Sequence, residues 1–566
     1  MKIINKISSA LLLSLLVFSG CEIEEPNGPD DPNKDDNIET PDGDSAFEEK
    51  PEVELIIDAH PGEKAPSGHH TFWYLAGAED RIKEYRKGTR KITFLKDSKP
   101  ISESEVQVEL MQHEFKFGVS FTQSWEAKDH TPYKSRLEYD NNYMSAIKET
   151  FNYLTIGMYW GWIQSQGPEY RYQYDWVVDD TSLIIPWANE NGYTLKGHPA
   201  IWHSTLPNWL VKETDTDKVV KYMKAHLKKI FAERRDLLNW DIYNEAPAVM
   251  ENHVADSGVK RWVRTYCGES CYKQKCTDPS CGNSAAEPNK FPCKKVRDEW
   301  SMADGKHALM WHQDCINKST ADVYSWAHEA AGPGDKRVYV NNHYSDSSPV
   351  NKWTGNAKFY DMCKYFQENN VDYDVIGIQT HMHEQGDIYS EEELWNMLEK
   401  YSIFNKPIHL CEITIPSFKP FTNWQDKGKH LENVNAAIAA GRPIPYREGD
   451  ESWREFQAEY LQDFYTLAFS HPNVEAMIGW SLSDEREWIF SAGGLLDRQD
   501  NPKKAYNVLK QLIKEVWHTQ EVLDTDEEGT SKVNGFYGEY EARLADGTTA
   551  KFTLKKGDTE DIIVNF

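Results

Sequence analysis

The chain has 566 residues, 39% hydrophobic and 13% aromatic, with a formal net charge of −28. That charge repels polyanions and argues against nucleic acid as a partner. The length allows a large catalytic domain with accessories, and 20 Trp and 29 Tyr offer flat faces with a polar handle that suit stacking on sugar rings.

Residues 1–21 read as an export signal. A basic start at Lys2 and Lys6 precedes an apolar run, Ser9–Gly20, that is too short to span a bilayer. "LVFSGC" (16–21) resembles a bacterial lipobox, which implies cleavage before Cys21 and lipidation of that residue. Residues 22–50 carry 12 acidic residues against 2 Lys among scattered Pro and Gly. Such a stretch buries too little apolar surface to order itself and reads as a tether. The expected location is therefore the outer membrane or cell surface of a Gram-negative bacterium, a periplasm-facing orientation being the alternative, with the lipid at Cys21 as the one membrane contact; the protein is expected to be a monomer.

Residues 51–113 form a β-rich accessory segment, with alternating runs at 91–95 (KITFL) and 105–111 (EVQVELM). From 114 to 520 strand-like and helix-like segments alternate. The strands are 114–120, 151–158, 194–202, 238–245, 337–344, 375–382, 407–414 and 476–484. The clearest helix, 216–234, has an Asp N-cap and apolar residues at Val219, Val220, Met223, Leu227 and Ile230. Others are predicted at 357–369, 390–402, 452–470 and 503–517. Eight strands each followed by a helix predict an α/β fold, a (β/α)8 TIM barrel.

An excursion at 251–314 follows the fourth strand. It carries Cys267, Cys271, Cys276, Cys281 and Cys293, and Cys315 closes it. Six cysteines in an exported chain predict three disulfides, with 15 pairings open, and there is no CxxC pair to suggest a metal knuckle. Cys363 and Cys411 sit in apolar patterns and read as buried free thiols. Residues 521–566 form a C-terminal β segment, read from 533 as a meander. Both β segments are expected to pack together, or against the barrel, as one accessory layer.

In such barrels chemistry sits at the C-terminal strand ends. Six of the eight ends are polar or aromatic here: Trp202-His203, Asn244-Glu245, His343, Gln379 with His381, Glu412, and Trp480 with Asp484. Hydrolysing a glycosidic bond needs one carboxyl group that stays protonated and one that is ionised; a retaining course requires them about 5–5.5 Å apart. Glu245 and Glu412 end strands four and seven in apolar surroundings. An uncompensated carboxyl group buried at either place is costly, so a role in chemistry is the economical reading. The reaction needs neither cofactor nor metal.

"NWDIYNEAP" (239–247) resembles the acid/base motif of family 10 glycoside hydrolases, the barrel xylanases. "GHPAIWHSTLPNWL" (197–210), "IGIQTHMH" (376–383), "HLCEITIPS" (409–417) and "GWSLSDEREWIFSAGGLLDRQDNPKKAYNVLKQLI" (479–513) are similar to that family's third, sixth, seventh and eighth strand signatures. The resemblance spans roughly residues 112–518. It implies Glu245 as acid/base and Glu412 as nucleophile. It also implies His203, Asn244 and His381 as ligands of the sugar before the scissile bond, Gln379 as the group orienting Glu412, and Trp480 as a platform, with Trp488 and Trp160 also against substrate.

One stretch departs from the family. Its members carry Glu-Asn-x-x-Lys-Trp after the second strand, where this chain has "GMYWGW" (157–162). Gly157, Met158 and Gly161 replace the polar residues, leaving Trp160 and Trp162 for stacking. The resemblance implies an endo-β-1,4-glycanase acting on xylan or decorated xylan. The alternatives are a retaining β-glycosidase of the same clan with another polysaccharide, and a non-catalytic surface glycan-binding lipoprotein. His198 reads as structural, Asp241 as buried and bonded to backbone, and Asp484 as a partner of Arg486.

Overall fold

The computed structural model describes residues 60–121, 141–172, 181–249, 257–266, 307–332, 337–342 and 355–566. The signal segment with Cys21, the acidic tether, His343 and the cysteines from Cys267 to Cys293 lie outside the described residues.

Eight parallel strands close into a barrel: Lys116–Phe121, Tyr153–Gly157, Thr194–His198, Asn239–Asp241, Arg337–Asn342, Val375–His381, Ile408–Thr414 and Val474–Gly479. The eighth returns to the first, with Ala476 opposite Lys116 and Gly479 opposite Val119. These strands are covered on both faces, which is why they are near-continuous apolar runs; every residue of Ile408–Thr414 is buried. Strands three and four are interrupted and then resume as Ile201–Trp202 and Tyr243–Asn244, which pair with each other with Trp202 opposite Asn244. This short ribbon extends strands three and four beyond the barrel's own pairing.

The helices follow their local signals. Thr216–Glu233 is capped by Asp215, whose carboxylate accepts from the Asp217 and Lys218 amides, and it buries Val219, Met223, Leu227 and Ile230; Val220 is only partly buried. Glu391–Ser402 starts with a capping box between Ser390 and Glu393. The helix after the fourth strand is His307–Ala331, so it begins inside the expected excursion. A further helix within that excursion, Gly258–Thr265, is seated against the third-strand loop, Arg261 donating to the Val211 and Glu213 carbonyls. Trp424–Ala439 is a helix the sequence pattern did not announce. Cys363 and Cys411 are buried free thiols.

The helix Glu451–Ser470 is buried from Phe456 to Ser470 except at Thr466, because the N-terminal segment covers its outer side. Ser67 donates its amide and hydroxyl to Glu459 (2.9 and 2.5 Å), and Asp463 meets His70 Nε2 at 2.7 Å and accepts the Trp73 amide at 3.0 Å.

The terminal β segments pack together as expected, each of two sheets drawing strands from both, but as two sheets rather than one layer. One orders Thr530–Phe536, Lys87–Lys96 and Ile562–Asn565, with Lys99–Pro100 as a hairpin return; the other orders Gln520–Asp524, Glu105–His113, Gly538–Arg543 and Thr549–Leu554. The C-terminal meander is therefore broken, since its last strand leaves to run parallel to Lys87–Lys96 with Ile92 opposite Ile562. Alternation explains this. Val106, Val108 and Leu110 on one sheet, and Ile92, Phe94 and Val533 on the other, each need an apolar cover. All six belong to the same core as the barrel.

Candidate active site

Glu245 follows directly on the ribbon Tyr243–Asn244 and takes a left-handed conformation, φ 54°. An L-residue pays roughly 1–2 kcal/mol for that geometry, and the chain then turns through Ala246–Ala248. The half-buried carboxylate accepts a 2.9 Å hydrogen bond at Oε2 from the Trp202 indole N–H, across the same ribbon.

Glu412 lies in the seventh strand and is 3% exposed. Both of its oxygens have partners. Gln379 Nε2 donates to Oε1 at 2.8 Å, and His381 Nε2 lies 3.0 Å from Oε2. The same Gln379 amide also reaches Asn244 Oδ1 at 3.2 Å, tying the sixth strand to the residue before Glu245. His381 Nδ1 meets the Thr414 hydroxyl at 2.9 Å. Burial pushes the Glu412 pKa up to about 7; His198 and Lys196 hold it down, while Asp241 and Glu245 push it up. The two carboxyl groups thus sense each other.

Beneath them is a charged pair with no access to water. Lys196 Nζ lies 2.9 Å from Asp241 Oδ2, both side chains 0% exposed, and the same oxygen is 2.6 Å from His198 Nδ1. Burial works against the charge on each partner, yet Asp241 holds the Lys196 pKa above its ordinary value, and Lys196 and His198 hold Asp241 below its own. His198 Nδ1 is also 4.0 Å from Glu412 Oε1. Asp241 was expected to bond to backbone; it is an ion-pair partner instead, because the third and fourth strands place Lys196 beside it.

Aromatic rings surround the carboxylates. Trp480 is half-buried and edge-on to His198 (4.9 Å between centroids) and to His381 (6.0 Å). Trp488 lies against His381 and His383 at 5.4 and 5.1 Å. His203 follows Trp202 on the ribbon and is buried. Trp160 does not belong to this set. Its indole is 2% exposed, stacked on His226 at 4.0 Å and bonded to Gln164 Oε1 at 2.9 Å, so neither face is open to a sugar. Asp484 also departs from expectation, pairing with Lys503 at 2.5 Å and accepting the Gly494 amide at 2.7 Å.

Sequence reasoning left several neighbours out. Trp202 carries Glu245, and Lys196 pairs with Asp241 and acts on the Glu412 charge. Tyr159 sits against His198 and Trp202 at 5.7 and 6.0 Å. His383 stacks on His381 at 5.3 Å, and its Nε2 faces Glu487 Oε1 at 3.4 Å. Burial raises the Glu487 pKa to about 8. Of these only Trp202 was signalled, by its place in a Trp-His pair at a strand end. Among the described residues no group of three or more His, Cys, Asp or Glu is placed to hold a metal ion.

The arrangement offers one carboxyl group gripped on both oxygens and a second held by an indole, with Trp480 and Trp488 packed against the histidines beside them. The sequence model of Glycosyl hydrolase family 10 matches residues 109–274 and 251–512. The endo-1,4-beta-xylanase B of Thermotoga neapolitana is 23% identical over 384 residues, which cover 66% of this chain and 84% of that protein. The beta-1,4-xylanase of Dictyoglomus thermophilum is 22% identical over 377 residues, 64% of this chain and 83% of its own length. Among solved structures, xylanase 10B from Thermotoga petrophila RKU-1 in complex with xylobiose is similar at 17% identity and a TM-score of 0.45, covering 71% of this chain and 95% of that one.

Proposed function

The chain belongs to glycosyl hydrolase family 10, and from that premise we propose that it cleaves internal β-1,4 linkages of xylan or a decorated xylan with retention of configuration. The observation that carries the reading is the pairing of Glu412, held by Gln379 and His381, with Glu245, held by Trp202.

In the first step the Glu412 carboxylate attacks the anomeric carbon while the bond to the leaving oxygen breaks and Glu245 gives that oxygen its proton. A glycosyl ester on Glu412 results. Glu245, now a carboxylate, takes a proton from water, whose oxygen attacks the same carbon and releases Glu412. Two inversions give net retention. Gln379 and His381 steady the ionised form of a buried nucleophile, and Trp480 offers a face to the sugar ring. The substrate class follows the relatives, whose names are those of β-1,4-xylanases.

The test is reducing-sugar release from xylan and a panel of other β-glycans by the wild type and Glu412→Ala, with the anomer of the first product read by NMR. Release by the wild type alone, as the β-anomer, supports the reading. No release on any glycan, or an inverted product, refutes it. We also propose that the enzyme is anchored through a lipid on Cys21, so that Cys21→Ala moves the activity from the membrane fraction to the soluble one.

A further inference from the structure

The stretch Gly157–Trp162 departs from the family pattern, and the structure shows what occupies its place. Tyr159 caps a single helical turn, Trp160–Ile163, and accepts the Trp162 and Ile163 amides at its carbonyl (2.9 and 3.1 Å). The turn is fastened on both sides. The Met158 amide donates to the His198 carbonyl at 2.5 Å, and the Gly161 amide to the Thr205 carbonyl at 2.7 Å. A Cβ on Gly161 would meet that Thr205 oxygen at 2.5 Å. The family's lysine at this position therefore has no room here without moving the third-strand loop.

Pinned in this way, the Tyr159 ring packs against Trp162 at 4.5 Å and against His198 and Trp202 at 5.7 and 6.0 Å. One of those neighbours lies beside Glu412 and the other carries Glu245. Tyr159 is only partly buried, and among the described residues its phenolic oxygen has no hydrogen-bond partner. Burial, Glu412, Glu245 and Asp241 all raise its pKa, so the group is a neutral O–H throughout the working range. A phenol packed among rings normally finds an acceptor; the ring of this one lies against His198 and Trp202, the neighbours of Glu412 and Glu245.

We propose that Tyr159 is a substrate-contacting residue, its hydroxyl donating to a hydroxyl of the sugar seated between Glu245 and Glu412, with the Trp162 indole beside it. Together they substitute one neutral donor and one apolar face for the amide and ammonium of typical family members. This rests on the retaining β-1,4-glycanase reading above.

The test compares Tyr159→Phe with the wild type on the β-1,4-linked oligosaccharide that the wild type cleaves, and on its monodeoxy analogues. Because the hydroxyl has no partner among the described residues, Tyr159→Phe melts at the wild-type temperature. On the parent sugar kcat/KM falls roughly tenfold, and the fall disappears on the analogue that lacks the partner hydroxyl. A fall under about twofold on the parent, or one that persists undiminished on every monodeoxy analogue, overturns the assignment and leaves the functional reading intact. A wild type inert on every glycan overturns both.

Discussion

Glu412 is held in a state that costs the folded protein stability, and replacing it measures how much. The residue is 3% exposed, and its pKa rises from 4.5 to about 7, burial being the main cause. Below the lower value the group is protonated in both the folded and the unfolded chain and costs nothing. Between the two values the unfolded chain gives up its proton and the folded one does not, so stability falls as pH rises. One pKa unit corresponds to about 1.4 kcal/mol, which makes the full cost about 3 kcal/mol near neutrality and above. Glu412→Gln keeps an oxygen for Gln379 and a polar edge for His381, and it cannot ionise. Its expected phenotype is loss of glycan hydrolysis together with a higher melting temperature at about pH 8, the gain shrinking to zero at about pH 4. Scanning calorimetry of both proteins across that range is the assay. A gain that is the same at both ends, or a loss at the alkaline end, would refute the electrostatic argument.

The other expectations concern the groups around that carboxylate. Glu245→Ala should lose about 10²–10⁴ in kcat on xylan, where the leaving oxygen needs a proton, yet still form the glycosyl-enzyme from a dinitrophenyl glycoside, seen as a burst of dinitrophenolate; loss of that burst would contradict the acid role. Lys196→Met leaves the Asp241 charge buried and should cost about 3–5 kcal/mol in thermal unfolding. It should also move the acidic limb of kcat/KM to higher pH, because Lys196 helps hold the Glu412 pKa down. Adding Asp241→Asn should restore most of the stability, and a double variant no better than the single would show that the pair is not the source of the loss. Gly161→Ala forces a shift against the Thr205 carbonyl and should cost about 1–3 kcal/mol by overpacking, with kcat/KM falling as Tyr159 moves; an unchanged melting curve would remove the steric account of the departed motif.

What could be read from the chain beforehand divides along physical lines. The barrel was legible because a parallel strand covered on both faces leaves a dense apolar run, and "VIGIQTHM" and "PIHLCEIT" are such runs ending in polar residues. Glu245 and Glu412 stood out for the same reason, as carboxyl groups where the local pattern calls for apolar ones. The helix Trp424–Ala439 escaped because its buried positions are few, Leu431, Val434 and Ala437, on a segment otherwise charged and broken by Gly428. Leu431 belongs to a separate small core with Phe418, Phe421, Ile489 and Ala492, drawn from two different barrel loops, and no local period records such a meeting. Trp160 and Trp162 looked equivalent, yet two positions apart on a helical turn places them about 200° apart. One indole had to enter the core while the other stayed at the surface of the turn. The same limit hid the pairing of Lys196 with Asp241: each reads alone as an awkward charge in a strand, and only the adjacency of strands three and four turns two costs into one neutral pair. Tyr159 carries no signal of its own because a tyrosine between Met158 and Trp160 looks like packing. Its significance lies in an oxygen left without a partner among the described residues, on a ring packed against the neighbours of Glu412 and Glu245, a relation between several strands rather than a property of the motif.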